Sequence, residues 1–209
     1  MNHRVKPSTV LALILLPAAV LLGAAAAHLW LAPARAPLQT GTLLTTPRPI
    51  TDFRLTGDDG QPFTRTNLQD HWNLVFTGFT HCPDVCPTTL SMLKSTVSRL
   101  GSDSERLQVV FLSIDPERDT PEALAQYVHY FNPHFRAATA SNAELDRLAP
   151  QLGFVYAKVQ GPTPESYTMD HSAALILINP RGELAGYFTP PFKAETLAAD
   201  LQSLLRSSS

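Results

Sequence analysis

The sequence predicts an α/β sandwich, a mixed central sheet with helices on both faces, set behind an N-terminal transmembrane helix. Three observations predict it. Short apolar runs such as Leu74-Val75-Phe76 alternate with segments whose apolar residues recur at helical spacing. The run Leu107–Ile114 is apolar except for Gln108 and for Ser113 near its end, as expected of a strand covered on both faces. Finally, the 23 residues Val10–Ala32 contain no Asp, Glu, Lys or Arg.

Residues 1–9 carry Arg4 and Lys6, and basic residues before an apolar segment hold the N-terminus in the cytoplasm. A bilayer core takes about 20 apolar residues as helix, so residues 10–32 read as a single-pass anchor. The remainder is then expected on the periplasmic side of a bacterial inner membrane. The competing reading is a cleaved signal peptide, with its core at Val10–Leu22 and Ala24-Ala25-Ala26 at the cleavage site. The length and Trp30 as an interfacial anchor favour the uncleaved form. The segment lacks the Arg- and Ser-rich character of an organelle transit peptide. Residues 33–47, rich in Pro, Thr and Ala, read as a linker, and 48–206 as the domain.

Within the domain, Phe53-Arg54-Leu55 and Phe63-Thr64 flank Gly57-Asp58-Asp59-Gly60 and predict a hairpin. Asn73–Thr77 is the first buried strand. After Cys86, apolar residues at Leu90, Leu93, Val97 and Leu100 mark a helix stopped by Gly101, and the same stripe carried backwards puts Cys86 on the buried face. Thr120 and Pro121 are an N-cap and first helical residue, ahead of Leu124, Tyr127, Val128 and Phe131. A short strand is expected at Phe135–Ala138, a helix capped by Asn142 through Leu152, and a strand at Phe154–Val159. Gln160–Asp170 reads as a polar loop, mobile without metal. Ala173–Ile178 and Glu183–Phe188 form a hairpin, and Leu197, Leu201, Leu204 and Leu205 line the last helix.

A net charge of −2 offers no basic footprint for nucleic acid. Two cysteines cannot build a disulfide scaffold, so the fold rests on its core. Those two, Cys82 and Cys86, lie where a buried strand turns into a helix, which is the thioredoxin-like arrangement. They are one helical turn apart, and a helix N-terminus favours thiolate, the form that binds metals or attacks disulfides. A structural disulfide there would close a tiny loop and add little stability. Thiol–disulfide exchange competes more seriously, yet exchange sites usually have two residues between the cysteines and a proline on the facing strand. Here three residues intervene, and His171 stands where the proline would be. Two sulfurs and one imidazole suit copper, whereas a structural zinc would want a fourth protein ligand. Asp84 and Asp170 adjoin these residues as outer groups. His81 should point away by strand alternation, and His71, His129 and His134 lie on surface-like stretches. Asp115 and Asp119 read as capping and bracing groups against Arg118 rather than as an acid–base pair. A peroxidatic cysteine of the peroxiredoxin type would want Thr where Phe79 stands.

The runs Gly78-Phe79-Thr80-His81-Cys82-Pro83-Asp84-Val85-Cys86-Pro87-Thr88, Ser113-Ile114-Asp115-Pro116-Glu117-Arg118-Asp119-Thr120-Pro121 and Asp170-His171-Ser172 resemble the three signatures of the Sco/SenC family, in the family's order. The resemblance spans about residues 48–206. It implies a membrane-tethered, thioredoxin-fold copper chaperone that assists assembly of the binuclear copper A centre in cytochrome c oxidase subunit II. It also implies copper ligation, as Cu(I) or Cu(II), by Cys82, Cys86 and His171. Other copper chaperones or thiol–disulfide reductants would be exchange partners. The alternative duty it implies is reduction of that subunit's cysteines, with Cys82 and Cys86 as the redox pair.

Overall fold

The computed structural model describes residues 38–163 and 166–207, and Gly23 by itself. The expected cytoplasmic segment and membrane anchor, apart from Gly23, lie outside the described residues. Among the described residues, no helix is long and apolar enough to cross a membrane.

The domain is built around three parallel strands: β4 (Trp72–Gly78), β5 (Leu107–Ser113) and β6 (Arg136–Thr139). β9 (Leu175–Ile178), β10 (Glu183–Phe188) and β1 (Gly41–Pro49) extend the sheet antiparallel beyond β4, and β2 (Arg54–Gly57) and β3 (Pro62–Thr64) do so beyond β6. The order across the sheet is β1-β10-β9-β4-β5-β6-β2-β3. Strand alternation sorts the core into two layers. Leu74, Phe76, Val109, Phe111, Leu175 and Leu177 face one layer, which helices α1 (Val85–Leu100), α2 (Pro121–Phe131) and α4 (Ala194–Ser207) cover. Val75, Val110, Leu112, Ile176 and Ile178 face the other, covered by α3 (Asn142–Leu152) and the segment around Ile50 and Phe53. The central strands are therefore largely apolar on both faces, with Asn73, Thr77, Ser113 and Thr139 as buried polar exceptions. Helices do lie on both faces.

Three local expectations need correction. Residues 41–49 are a strand rather than a tether. Gly41 pairs with Phe188 and Pro49 with Glu183, Leu43 and Leu44 pack against opposite layers, and the buried Asp200 carboxylate accepts from the Gln39 and Thr40 backbone N–H groups. Proline content concealed it, because an edge strand tolerates the missing donor. The polar loop is also shorter than expected. β7 (Tyr156–Gln160) and β8 (Tyr167–His171) pair antiparallel as a separate two-stranded sheet, with Tyr156 opposite His171. Lastly, Ser141 and not Asn142 caps α3, its hydroxyl accepting from the Glu144 N–H.

Candidate metal centre

The site forms where β4 ends. A Cβ on Gly78 would lie 2.6 Å from the Phe111 ring and 2.8 Å from Cys86 Sγ, so only glycine lets the first turn of α1 close over the strand end. Phe79 is buried, and its carbonyl accepts from the Cys82 N–H at 3.2 Å, which reverses the chain. α1 then starts behind Asp84, whose carboxylate accepts from the Thr88 hydroxyl (3.2 Å) instead of capping a helix N–H. The Cys86 N–H, one of the free donors of the first turn, points at Cys82 Sγ at 3.4 Å. Neither cysteine is in a disulfide; Cys86 is fully buried, and Cys82 is half-buried against both apolar layers.

Burial pushes the Cys86 thiol well above its ordinary range; the neighbouring Cys82 and Asp119 act in the same direction, and a backbone hydrogen bond from Phe79 opposes them. The helix N-terminus was expected to favour thiolate at both positions. At Cys86, loss of water outweighs it.

His171 ends β8. Its Nδ1 lies 2.9 Å from the Ser172 carbonyl oxygen, which can only accept, so Nδ1 carries the proton and the Nε2 lone pair is free. Nε2 lies 3.9 Å from Cys86 Sγ. The rings of Phe76 and Phe79 meet the imidazole edge-on at 6.2 and 6.3 Å. Metal bonds of about 2.1 Å to nitrogen and 2.3 Å to sulfur reach across a gap of that width, so one ion fits both donors. Cys82 lies on the same turn. Among the described residues, no three His, Cys, Asp or Glu side chains are already gathered as a metal cluster. The structure thus brings Cys86 and His171 together, with Cys82 adjoining through its sulfur.

Other expected residues fall as follows. His81 is exposed, and its Nδ1 faces the Thr80 hydroxyl at 3.1 Å and the Asp119 carboxylate at 3.8 Å, not the sulfurs. Asp170 is an exposed residue of β8. Asp119 does not pair with Arg118. It is buried and accepts from the Thr80 N–H (3.0 Å), the Thr80 hydroxyl (2.5 Å) and the Ser113 hydroxyl (2.6 Å), which ties the cysteine turn to the end of β5. Asp115 does pair with Arg118 Nε at 2.5 Å, and also accepts from the Tyr167 hydroxyl at 2.8 Å. Desolvation and that hydrogen bond push Tyr167 up to about 12. Sequence reading missed Thr80 and Tyr167. The only signal for them was their position inside or beside the motif runs.

Fold and site together define a thioredoxin-like α/β domain whose Cys-x-x-x-Cys turn faces a histidine instead of the usual proline. The SCO1/SenC family profile matches residues 43–206, and the chain belongs to that family. The human mitochondrial SCO1 homolog is 36% identical over 156 residues, covering 74% of this chain and 52% of its own length. This chain therefore spans about half of that relative. The crystal structure of Arabidopsis thaliana ScoI with copper bound superposes with a TM-score of 0.70 at 30% identity, over 75% of this chain and 97% of that one. Bradyrhizobium japonicum ScoI with copper bound gives 0.67 at 34%, over 74% and 98%.

Proposed function

We propose that this protein is a copper-binding metallochaperone that holds copper through Cys82, Cys86 and His171. We further propose that it assists assembly of the binuclear copper A centre of cytochrome c oxidase subunit II. The observation that carries the reading is His171 Nε2 lying 3.9 Å from the buried Cys86 sulfur while Nδ1 faces the Ser172 carbonyl oxygen. Soft sulfur donors select copper, and imidazole accommodates either oxidation state. Relatives of known structure that share the fold carry copper. Burial favours the protonated thiol at Cys86, so loading a metal there would release that proton to solvent. The Ser172 carbonyl keeps Nδ1 protonated throughout and so keeps Nε2 available as donor. The 23 uncharged residues behind Arg4 and Lys6 support a single-pass anchor in a bacterial inner membrane, with the domain on the periplasmic side.

Titrating the purified full-length chain with copper should load one ion per chain. His171→Ala should lower affinity by more than the about 10- to 100-fold typical of losing an outer partner of a ligand. Wild-type affinity in that variant would remove His171 from the ligand set.

A second reading is supported by the unequal burial of the two sulfurs. Cys82 is half-exposed and Cys86 is sealed behind it, an arrangement in which Cys82 can attack a target disulfide and Cys86 resolve the mixed disulfide. The target gains two thiols and the Cys82–Cys86 pair becomes the disulfide. Under this reading, His171→Ala retains reduction of an oxidised subunit II peptide while Cys82→Ser loses it. A wild-type domain that cannot reduce that peptide would exclude it.

A further inference from the structure

We infer that the loop after β5 is a positioning device for the site, and that Arg118 and Tyr167 set the place of His171 without touching metal. The inference rests on the ligand set proposed above. His171 is carried by β7–β8, a two-stranded sheet that shares no ladder with the main sheet. Such a hairpin is marginal by itself, so side chains must hold it in place. Tyr167, Met169 and His171 alternate along β8 onto one face, with Met169 buried and Thr168 and Asp170 exposed. Anchoring Tyr167 therefore orients the imidazole, and a slip of one residue would offer Asp170 to the sulfurs instead.

The anchor at Tyr167 centres on Arg118. Its guanidinium stacks over the Tyr167 ring at 3.7 Å, donates from Nη1 to the Tyr167 carbonyl at 3.3 Å, and donates from Nε to Asp115 at 2.5 Å. Asp115 in turn accepts from the Tyr167 hydroxyl, so the tyrosine is gripped at ring, hydroxyl and backbone. The same guanidinium lies 5.7 Å from the Phe79 ring, and Phe79 packs edge-on against His171. Arg118 Nη2 is buried with no hydrogen-bond partner, so the contacts that hold the guanidinium are the stack, Nε and Nη1. A lysine supplies the charge but neither the planar stack nor the fork of donors. One residue further along, Asp119 holds the cysteine turn through Thr80. Adjacent residues of one loop thus tie down the two segments that carry the proposed ligands.

The test uses full-length protein, copper alone as probe, and two readouts. Arg118→Ala and the milder Tyr167→Phe should weaken copper binding, Arg118→Ala by about 10- to 100-fold. They should diminish the nitrogen hyperfine coupling in the Cu(II) paramagnetic resonance spectrum while the thiolate-to-copper charge-transfer band persists. Arg118→Lys should fall between wild type and Arg118→Ala. Introduced on a His171→Ala background, Arg118→Ala should cost little further affinity. An equal cost on both backgrounds, or an unchanged nitrogen signal, overturns the inference. The second readout needs no metal. Amide exchange of residues 167–172 should accelerate in Arg118→Ala, and that of residues 79–86 should not. If wild-type protein fails to bind copper while this exchange pattern appears, the ligand assignment falls and the positioning role stands. Equal acceleration in both segments overturns the positioning role, and Tyr167→Phe, which deletes one hydroxyl, provides the check should Arg118→Ala unfold.

Discussion

The two segments that meet at the site are held by different physics. The cysteine turn hangs from β4, a strand with all seven residues buried, and Cys86 itself is part of the apolar layer beneath α1. The histidine hairpin has one strand whose residues are nearly all exposed, and one buried side chain, Met169, on the other. The Thr77 hydroxyl donates to the Ser172 carbonyl, and Val155 and Ser172 bond each other, but most of its attachment is polar or aromatic. The sulfurs are therefore placed by the hydrophobic core and the imidazole by a few directional contacts. Disturbing one should leave the other recognisable.

The largest effect should come from the core side. Phe111 is fully buried, packs against Phe76 at 5.8 Å and Tyr127 at 5.6 Å, and lies under Gly78. Phe111→Ala should cost about 3–5 kcal/mol of global stability by lost transfer energy plus a cavity. Denaturant unfolding measures it, and the sulfurs should be disturbed before the hairpin register is. A loss below about 1 kcal/mol would mean that the turn does not depend on this layer.

An intermediate effect is pH-dependent and belongs to Cys86. Its folded pKa is raised by burial above the ordinary 9.0. Below that ordinary value both states hold the proton, and stability is unaffected. As pH rises through it the unfolded chain releases the proton while the folded chain keeps it, so the unfolded state binds fewer protons and stability falls. The slope approaches about 1.4 kcal/mol per pH unit for one proton. Unfolding free energies of copper-free protein, measured under reducing conditions between pH 8 and 10, should fall more steeply for wild type than for Cys86→Ala. Parallel slopes would place the thiol in water. Tyr127 and Tyr156, also raised by burial, add the same sign at higher pH in both proteins.

The contrast between core and clamp also explains what could be read from the sequence. Periodicity reports burial, so the β4 and β5 strands, the stripe of α1 and the buried side of Cys86 were all legible. The Thr120 cap was legible because its partner, the Ala123 N–H, is three residues away. Contacts that join distant segments leave no local trace. Asp115 and Asp119 flank Arg118 in the chain and both were assigned to it, yet Asp119 bonds Thr80, 39 residues away, and the Asp115–Arg118 pair reaches Tyr167, 52 residues from Asp115. The prolines Pro162 and Pro164 make the stretch before β8 read as loop. The strand's own alternation, Tyr-Thr-Met-Asp-His, is visible but short. The thiol's protonation is hidden for a related reason: the helix terminus is evident in sequence, whereas the depth of desolvation is a property of the packed layer.

The smallest effect separates the anchors of the hairpin from one another. Lys158 reaches Glu117 at 2.6 Å and lies 3.9 Å over the Tyr167 ring, so by distance it resembles Arg118. Its side chain is 43% exposed and that of Glu117 54%, against 25% for Arg118 and 2% for Asp115. Exposed pairs are screened and give up side-chain freedom to form, so Lys158→Ala should cost about 0–1 kcal/mol and less in high salt. Removing Arg118 leaves the buried Asp115 carboxylate without its charge partner, the costly case. Exchange of the β8 amides should therefore change little in Lys158→Ala and strongly in Arg118→Ala. Equal acceleration in the two variants would show that the hairpin is held by the cationic face of Tyr167 as a whole, and would remove the distinction between a buried clamp and a solvated one.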